Sequence, residues 1–389
     1  MQRRKFLLTG AALGCSAAAS PLLTPIAFAQ GPWDNRLVVI ILRGAMDGLD
    51  VVQPLGDPDY AGLRPTLTAG STDLDGFYAL NPALSPLLPQ WQAQNLGFVH
   101  AVSTPYRDKR SHFDGQDILE AGTPGLSADG IRDGWLNRML QTMPGLTAET
   151  AYAIGREQML ILTGAAPAAR WSPDARMQLS PAARQLLLAV QQDDPLFRVA
   201  TEDAVMIVDE LAAEPVSDMP ETALRGDHVE LAKFAASRLR GETRIASFSI
   251  SGWDTHNRQA ANLGRALSRL SDTLLTLQTE LGPVWDQTAV LCMTEFGRTA
   301  RENGTGGTDH GTGGAMIMAG GAVRGGRVVA DWPGLGETDL YAGRDLLPTR
   351  DVRAHAGWVM RGLFGLDAGL IEGAVFPGLE LGPDPGLLL

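Results

Sequence analysis

The residues of this chain best suited to chemistry fall in short polar segments that follow apolar runs. One run leads into Arg43-Gly44-Ala45-Met46-Asp47-Gly48 and another into Ser103-Thr104-Pro105-Tyr106-Arg107, followed by Arg110-Ser111-His112-Phe113-Asp114. A third leads into Gly252-Trp253-Asp254-Thr255-His256, and a fourth into Thr294-Glu295-Phe296-Gly297-Arg298, with Asp309-His310-Gly311 beginning fourteen residues beyond Glu295. Singly, each has an ordinary reading: Asp before Gly is a common turn pair, and Ser111 or Asp114 can cap a helix. Together they supply carboxylates, imidazoles and a hydroxyl, the donors that zinc or manganese takes. Buried carboxylates without a counter-charge are costly, and a divalent ion removes that cost.

The runs that must position these residues are Leu37–Leu42, Leu96–Val102, Ile245–Ile250, Ala289–Met293 and Ala315–Ala319, each predominantly apolar, as buried parallel strands are. Between the third and fourth, leucines at 263, 267, 270, 274, 277 and 281 recur at helical spacing and stop at Gly282-Pro283. Strands alternating with helices predict an α/β fold, with function at the carboxyl ends of the strands. The polar, helix-rich stretch 181–239 is expected to form a cap over that edge.

The amino-terminal residues carry an address. Arg3-Arg4-Lys5 precedes an uncharged stretch, and Ala27-Phe28-Ala29 is a small-residue cleavage pattern, so residues 1–29 read as a signal peptide. Paired arginines followed by Phe6-Leu7 resemble the twin-arginine type. The expected location is the periplasm or the exterior, with residues 30–389 as one domain and the twin-arginine export machinery as a partner. The apolar run falls short of the ~20 residues that span a bilayer and is broken by Pro21 and Pro25, so no membrane anchor is expected after processing. Cleavage would remove three basic residues and no acid, making the net charge of −12 three units more negative. That balance argues against a nucleic-acid partner. Only Cys292 would remain of the two cysteines, which excludes an intramolecular disulfide.

These strings, with Arg64-Pro65-Thr66-Leu67 and Gly307-Thr308-Asp309-His310-Gly311, closely resemble the bacterial DUF1501 family, in order and over nearly the whole chain beyond residue 29. The family is similar in fold to the alkaline phosphatase superfamily, so the resemblance implies a three-layer α/β sandwich with a mostly parallel central sheet. It also implies one or two divalent ions (Zn, Mn, Ca or Mg) and hydrolysis of phosphate or sulfate esters, on small molecules or on glycan and other envelope polymers. Carried over, Asp47, Ser111 and Glu295 would share one metal, with Ser111 the nucleophile, while Asp254, His256 and His310 would hold a second. Phe296 departs from this pattern, standing where the superfamily has a histidine ligand. A second registration makes Asp309-His310 the strand-end motif, frees Glu295 and leaves His355 as a last ligand. Ser103-Thr104-Pro105-Tyr106-Arg107 has the Ser-x-Pro-x-Arg form of sulfatase sites, which keeps Thr104 and then Ser103 behind Ser111 as nucleophiles. Arg43, Arg107, Arg110 and Arg298 are candidates to hold the anion, because guanidinium matches its oxygens in pairs. The alternative that Phe296 favours is a secreted binding or assembly protein without catalysis.

Overall fold

The computed structural model describes residues 34–67, 70–107, 109–126, 132–173 and 226–389. The expected signal segment, 1–29, lies outside them, as do residues 181–225 of the expected cap.

The apolar runs all form strands of one nine-stranded sheet. It contains β1 (Arg36–Arg43), β5 (Leu96–Ser103), β6 (Ala151–Ile154), β7 (Ala169–Trp171), β8 (Ile245–Ser251), β9 (Thr288–Met293), β10 (Gly314–Ala319), β11 (Val328–Val329) and β12 (Arg350–Asp351). The order is β11-β5-β10-β9-β1-β8-β6-β7, with β12 also on β5. A small three-stranded sheet holds β2 (Val52–Gln53), β3 (Thr72–Asp73) and β4 (Ala79–Leu80).

β1 is central, paired in parallel with β8 on one side and β9 on the other. Its residues 36–42 are all buried, as expected of a strand covered on both faces. Val38, Ile40 and Leu42 face a layer built from α5 (Asp227–Leu239) and α6 (Gln259–Leu281). The six leucines of the α6 stripe are fully buried there, each contributing roughly 1.5–3 kcal/mol of transfer free energy. α5, the described end of the 181–239 stretch, therefore belongs to the core layer. On the other side of the sheet α7 (Val352–Phe364) packs near β9.

One strand corrects the sequence reading. β10 runs antiparallel to both β5 and β9, although its apolar run is indistinguishable from a parallel strand. The reversal matters for function, because it puts the amino end of β10, and His310 just before it, at the edge where the parallel strands end.

Two histidines are built into the interior. His100, on β5, points Nε2 at the carbonyls of Gly48 (3.2 Å) and Val52 (3.0 Å) while Nδ1 accepts from the Ala101 N–H. His355, on α7, has no hydrogen-bond partner at either ring nitrogen among the described residues. Burial lowers both to a pKa of about 4 from an ordinary 6.5. A depressed folded-state pKa gives stability that is complete above pH 6.5 and is lost as pH falls toward 4. The melting temperature should drop across that window, and His355→Leu should shallow the drop, measured by thermal unfolding from pH 7 to 4.5.

Candidate metal centre

The loops after β1, β5, β8 and β9 and the segment before β10 meet at one edge of the sheet. α3 (His112–Ala121) opens there, with Ser111 as its N-cap: the Ser111 hydroxyl accepts from the Asp114 N–H at 3.4 Å. His112 is thus the first helical residue, and its ring stacks on Phe296 with centroids 5.3 Å apart and planes 17° apart. Phe296 serves as a wall behind the imidazole.

Three imidazoles are held in the same manner. His112 Nδ1 lies 2.8 Å from Glu295 Oε1, His256 Nδ1 lies 3.2 Å from Asp309 Oδ1, and His310 Nδ1 lies 2.9 Å from the Arg110 carbonyl. A carbonyl or ionised carboxylate only accepts, so each Nδ1 carries a proton, and a ring in its neutral form offers a lone pair at Nε2. All three Nε2 atoms approach Asp254, at 3.5 Å for His112, 3.0 Å for His256 and 3.2 Å for His310. The Nε2 atoms of His256 and His310 are themselves 3.0 Å apart. Two lone pairs at that distance, facing a carboxylate, require an added proton or a cation.

The same conflict sets the titration of the group. Hydrogen bonding and charge from Asp254 and Glu295 raise His112 to about 9. Burial acts to raise Asp254, but His112, His310 and Arg298 outweigh it and hold the carboxyl well below the ordinary range. Two nitrogen donors and one oxygen, from His112, His310 and Asp254, with the far nitrogens braced by a carboxylate and a carbonyl, fit a divalent ion such as zinc, and His256 stands beside them. The ligand atoms of His112, Asp254 and His310 lie within 4.8 Å of one another.

Glu295 is buried and fully committed: Oε1 accepts from His112, from the Gly44 N–H at 2.9 Å and from Gln116 at 3.1 Å, and Oε2 from Thr294 at 3.0 Å. Gly44, at φ +121°, permits this approach, since a Cβ there would lie 2.7 Å from the Asp254 nitrogen. Asp309 likewise braces His256 from outside. Both acids expected as ligands therefore stand behind histidines.

Asp47 is elsewhere. Its Oδ2 pairs with Arg64 at 2.7 Å and accepts from Gln259 at 2.6 Å and from Thr308 at 3.2 Å. Gln259 also donates to Asp50 at 2.8 Å, a carboxyl whose pKa is raised by burial and then by the charge of Asp47. The expectation that only a metal could balance these acids needs correction, because Arg64 balances Asp47 and Arg298 balances Asp254. No hydrogen bond joins the side chains of Asp47, Ser111 and Glu295.

The anion-holding candidates are all engaged. Arg43 pairs with Glu120 at 2.7 Å and Glu157 at 2.6 Å and donates to Gln116 at 2.9 Å. Arg298, with no exposed side-chain surface, donates to Asp254 at 2.8 Å and to Thr308. Arg107 turns back on the Thr104 and Tyr106 carbonyls, and Arg110 pairs with Asp345 at 2.9 Å while a quarter of its side chain stays exposed. Thr104 is wholly buried, its hydroxyl donating to the Glu295 carbonyl at 3.0 Å, and the Ser103 hydroxyl is buried. Ser111 is half-buried beside His112. His355 is held apart from the cluster, on α7.

Sequence reasoning missed His112 as a fourth donor, and Arg64, Gln116, Gln259 and Thr308 as braces. His112 had a signal: it follows an apolar strand at the same edge as the other donors, and histidine is scarce in this chain, with six in all.

The fold and site define an α/β protein with a mixed, mostly parallel sheet and a His/Asp cluster able to hold a metal at its carboxyl edge. The chain belongs to the family described as "Protein of unknown function (DUF1501)", whose model matches residues 91–372. Solved structures resemble it distantly. A protein of the alkaline phosphatase superfamily from Vibrio parahaemolyticus is 11% identical with a TM-score of 0.35, the match covering 74% of this chain and 60% of that one. A mutant TAB5 alkaline phosphatase with Mg bound is 11% identical with a TM-score of 0.35, covering 76% and 94%. BT1596, a 2-O GAG sulfatase, is 12% identical with a TM-score of 0.34, covering 90% and 75%. Comparison with curated proteins finds no match.

Two substitutions test the bracing. Glu295→Gln should weaken zinc binding by roughly 10–100-fold, as loss of a carboxylate behind a ligating histidine does, read by calorimetric titration. Arg64→Met leaves Asp47 buried and uncompensated and should cost about 3–5 kcal/mol in denaturant unfolding.

Proposed function

We propose that this chain is an exported, metal-dependent hydrolase of phosphate or sulfate esters. The observation that carries the reading is the convergence of three braced imidazole Nε2 atoms on Asp254.

A divalent cation bound there would act as a Lewis acid, lowering the pKa of an oxygen nucleophile and balancing charge on the transferred group. His112, His310 and Asp254 would hold it, with His256 beside them, and Glu295, Asp309 and the Arg110 carbonyl keep the rings aimed. Arg298 donates to Asp254 Oδ1, which orients the carboxylate and offsets part of its charge. Ser111 is the nucleophile that this geometry leaves accessible, adjacent in the chain to His112 and at the amino end of α3, where the helix dipole favours an anion. Its Oγ would bond to phosphorus or sulfur as the substrate's alcohol oxygen departs, and water would then cleave the ester and restore the hydroxyl. Arg110, partly exposed, is the arginine best placed by sequence to meet the anion.

A second reading draws on one specific observation: no hydrogen bond joins Ser111 to any of the three histidines. On that reading the protein holds a metal and serves binding or assembly without catalysis.

Both are resolved by metal analysis of the purified chain and assay of aryl phosphate and sulfate esters with Zn²⁺ or Mn²⁺. The hydrolase reading expects about one ion per chain, and Asp254→Ala and His310→Ala should lose both ion and turnover. Ser111→Ala should keep the ion and lose at least a hundredfold in rate. Bound metal without turnover selects the second reading, and absence of both rejects each.

Export is proposed on the Arg3-Arg4 segment and the Ala27-Phe28-Ala29 pattern. No helix among the described residues is long and apolar enough to cross a membrane. Residues 1–29 fused to a folded reporter should carry it to the periplasm, and replacing Arg3 and Arg4 by Lys should retain it in the cytoplasm, followed by cell fractionation.

A further inference from the structure

Asp345 is fully buried behind the histidine cluster and is bonded to the chain on both sides of it. Its Oδ2 accepts from Arg110 at 2.9 Å and from the Thr312 hydroxyl at 2.8 Å, and its Oδ1 accepts from Arg344 at 2.9 Å. Thr312 follows His310 by two residues, and Arg344 also donates to the His310 carbonyl at 2.9 Å. Arg110 stands immediately before Ser111 and His112. One carboxylate thus ties the segment that leads into β10 to the loop that opens α3. It comes from a third segment, 341–345, and its own backbone is pinned by bridges to Thr299 and Tyr341.

The Arg110 backbone shows what the tie does. Its φ of +53° lies in the left-handed region, which is unfavourable for a residue with a Cβ and persists only where the surroundings hold it. The carbonyl of the same residue accepts from His310 Nδ1 at 2.9 Å, and so keeps a proton on that nitrogen while Nε2 faces Asp254. The other end of that peptide, the Ser111 N–H, donates to the Tyr106 hydroxyl at 2.9 Å. If residue 110 relaxed to a negative φ, this peptide would turn, releasing the His310 ring and shifting Ser111 and His112 with it. The guanidinium of Arg110, fixed on a buried carboxylate by a charge-assisted hydrogen bond, opposes that relaxation.

We infer that Asp345 is a positioning residue for this edge: by holding the Arg110 side chain it keeps residue 110 in its left-handed turn, and so fixes the His310 ring relative to Ser111 and His112. Its consequence for a bound ion rests on the metal-dependent reading of the site.

Three variants separate this role from simple packing. Asp345→Asn keeps the shape and removes the charge. Arg110→Ala and Arg110→Gly both remove the ion pair, but only glycine adopts a positive φ without strain. A quarter of the Arg110 side chain is exposed, so the Arg110 pair decides alone if the buried substitution fails to fold. Zinc affinity of the full chain is read by competition with a chromophoric chelator, and crystal structures of the metal-free proteins give φ at residue 110 and the distance from its carbonyl to His310 Nδ1. Asp345→Asn and Arg110→Ala should each weaken zinc roughly tenfold or more, as loss of a brace behind a ligating histidine does, with the carbonyl turned away from His310. Arg110→Gly should keep the carbonyl in place and bind zinc about fivefold or more tighter than Arg110→Ala. Zinc affinity within about twofold of wild type in either Asp345→Asn or Arg110→Ala, or equal loss in the alanine and glycine variants, overturns the assignment. A wild-type chain that binds no zinc rejects the metal reading, and the crystal structures then decide. A carbonyl displaced in Asp345→Asn and Arg110→Ala but held in Arg110→Gly sustains the role of Asp345, and a carbonyl in place throughout overturns it.

Discussion

Asp254 accepts at one oxygen from Arg298 and faces three imidazole nitrogens, and the rest of the edge is arranged to keep that meeting in place. Arg298 cannot swing away, because its other nitrogens donate to the hydroxyl and carbonyl of Thr308. The Thr308 hydroxyl is bonded in turn to Asp47 and Gln259, and Asp47 is locked by Arg64. A chain of charge-assisted hydrogen bonds thus runs from the middle of the fold to the surface cluster. In a low-dielectric interior such a network is rigid when every member is satisfied. Its cost is borne by Asp50, whose carboxyl is pushed toward the protonated form beside Asp47.

The division of labour among the acids follows from burial. Glu295 and Asp47 are wholly buried; both oxygens of Glu295 are bonded, whereas Asp47 takes Arg64, Gln259 and Thr308 at Oδ2 and its Oδ1 has no hydrogen-bond partner among the described residues. Asp254 keeps 43% of its side-chain surface, so it is the carboxylate that can meet an ion arriving from solvent. The histidines are intermediate, exposing one edge while their Nδ1 sides are gripped from behind. Phe296, which reads in the sequence as a missing ligand, presses flat on His112 and fixes the plane in which its Nε2 points.

The local supports are equally determined by sterics. The turn after β1 needs a glycine at 44 because the backbone passes so near Asp254, and the Glu295 carboxylate uses the amide exposed by that turn. β10 contributes through its direction. Had it run parallel, His310 would have emerged at the opposite edge, more than a strand length from Asp254.

The amino-acid sequence by itself determined the five long strands, the leucine-striped α6 and the gathering of donors at strand ends. Those features depend on local periodicity and on burial of contiguous apolar residues, which are written in the order of side chains. It also named Asp254, His256 and His310 as partners. The tertiary structure alone decided that β10 is reversed, that α5 lies in the core layer, that His112 joins the cluster, and that Glu295 and Asp309 stand behind imidazoles. It likewise gave Asp47 to Arg64, seventeen positions on, and spent Arg43 and Arg298 on internal acids. Which carboxylate meets which cation depends on distances and exposure between segments up to 235 residues apart, and no local pattern in the chain encodes them.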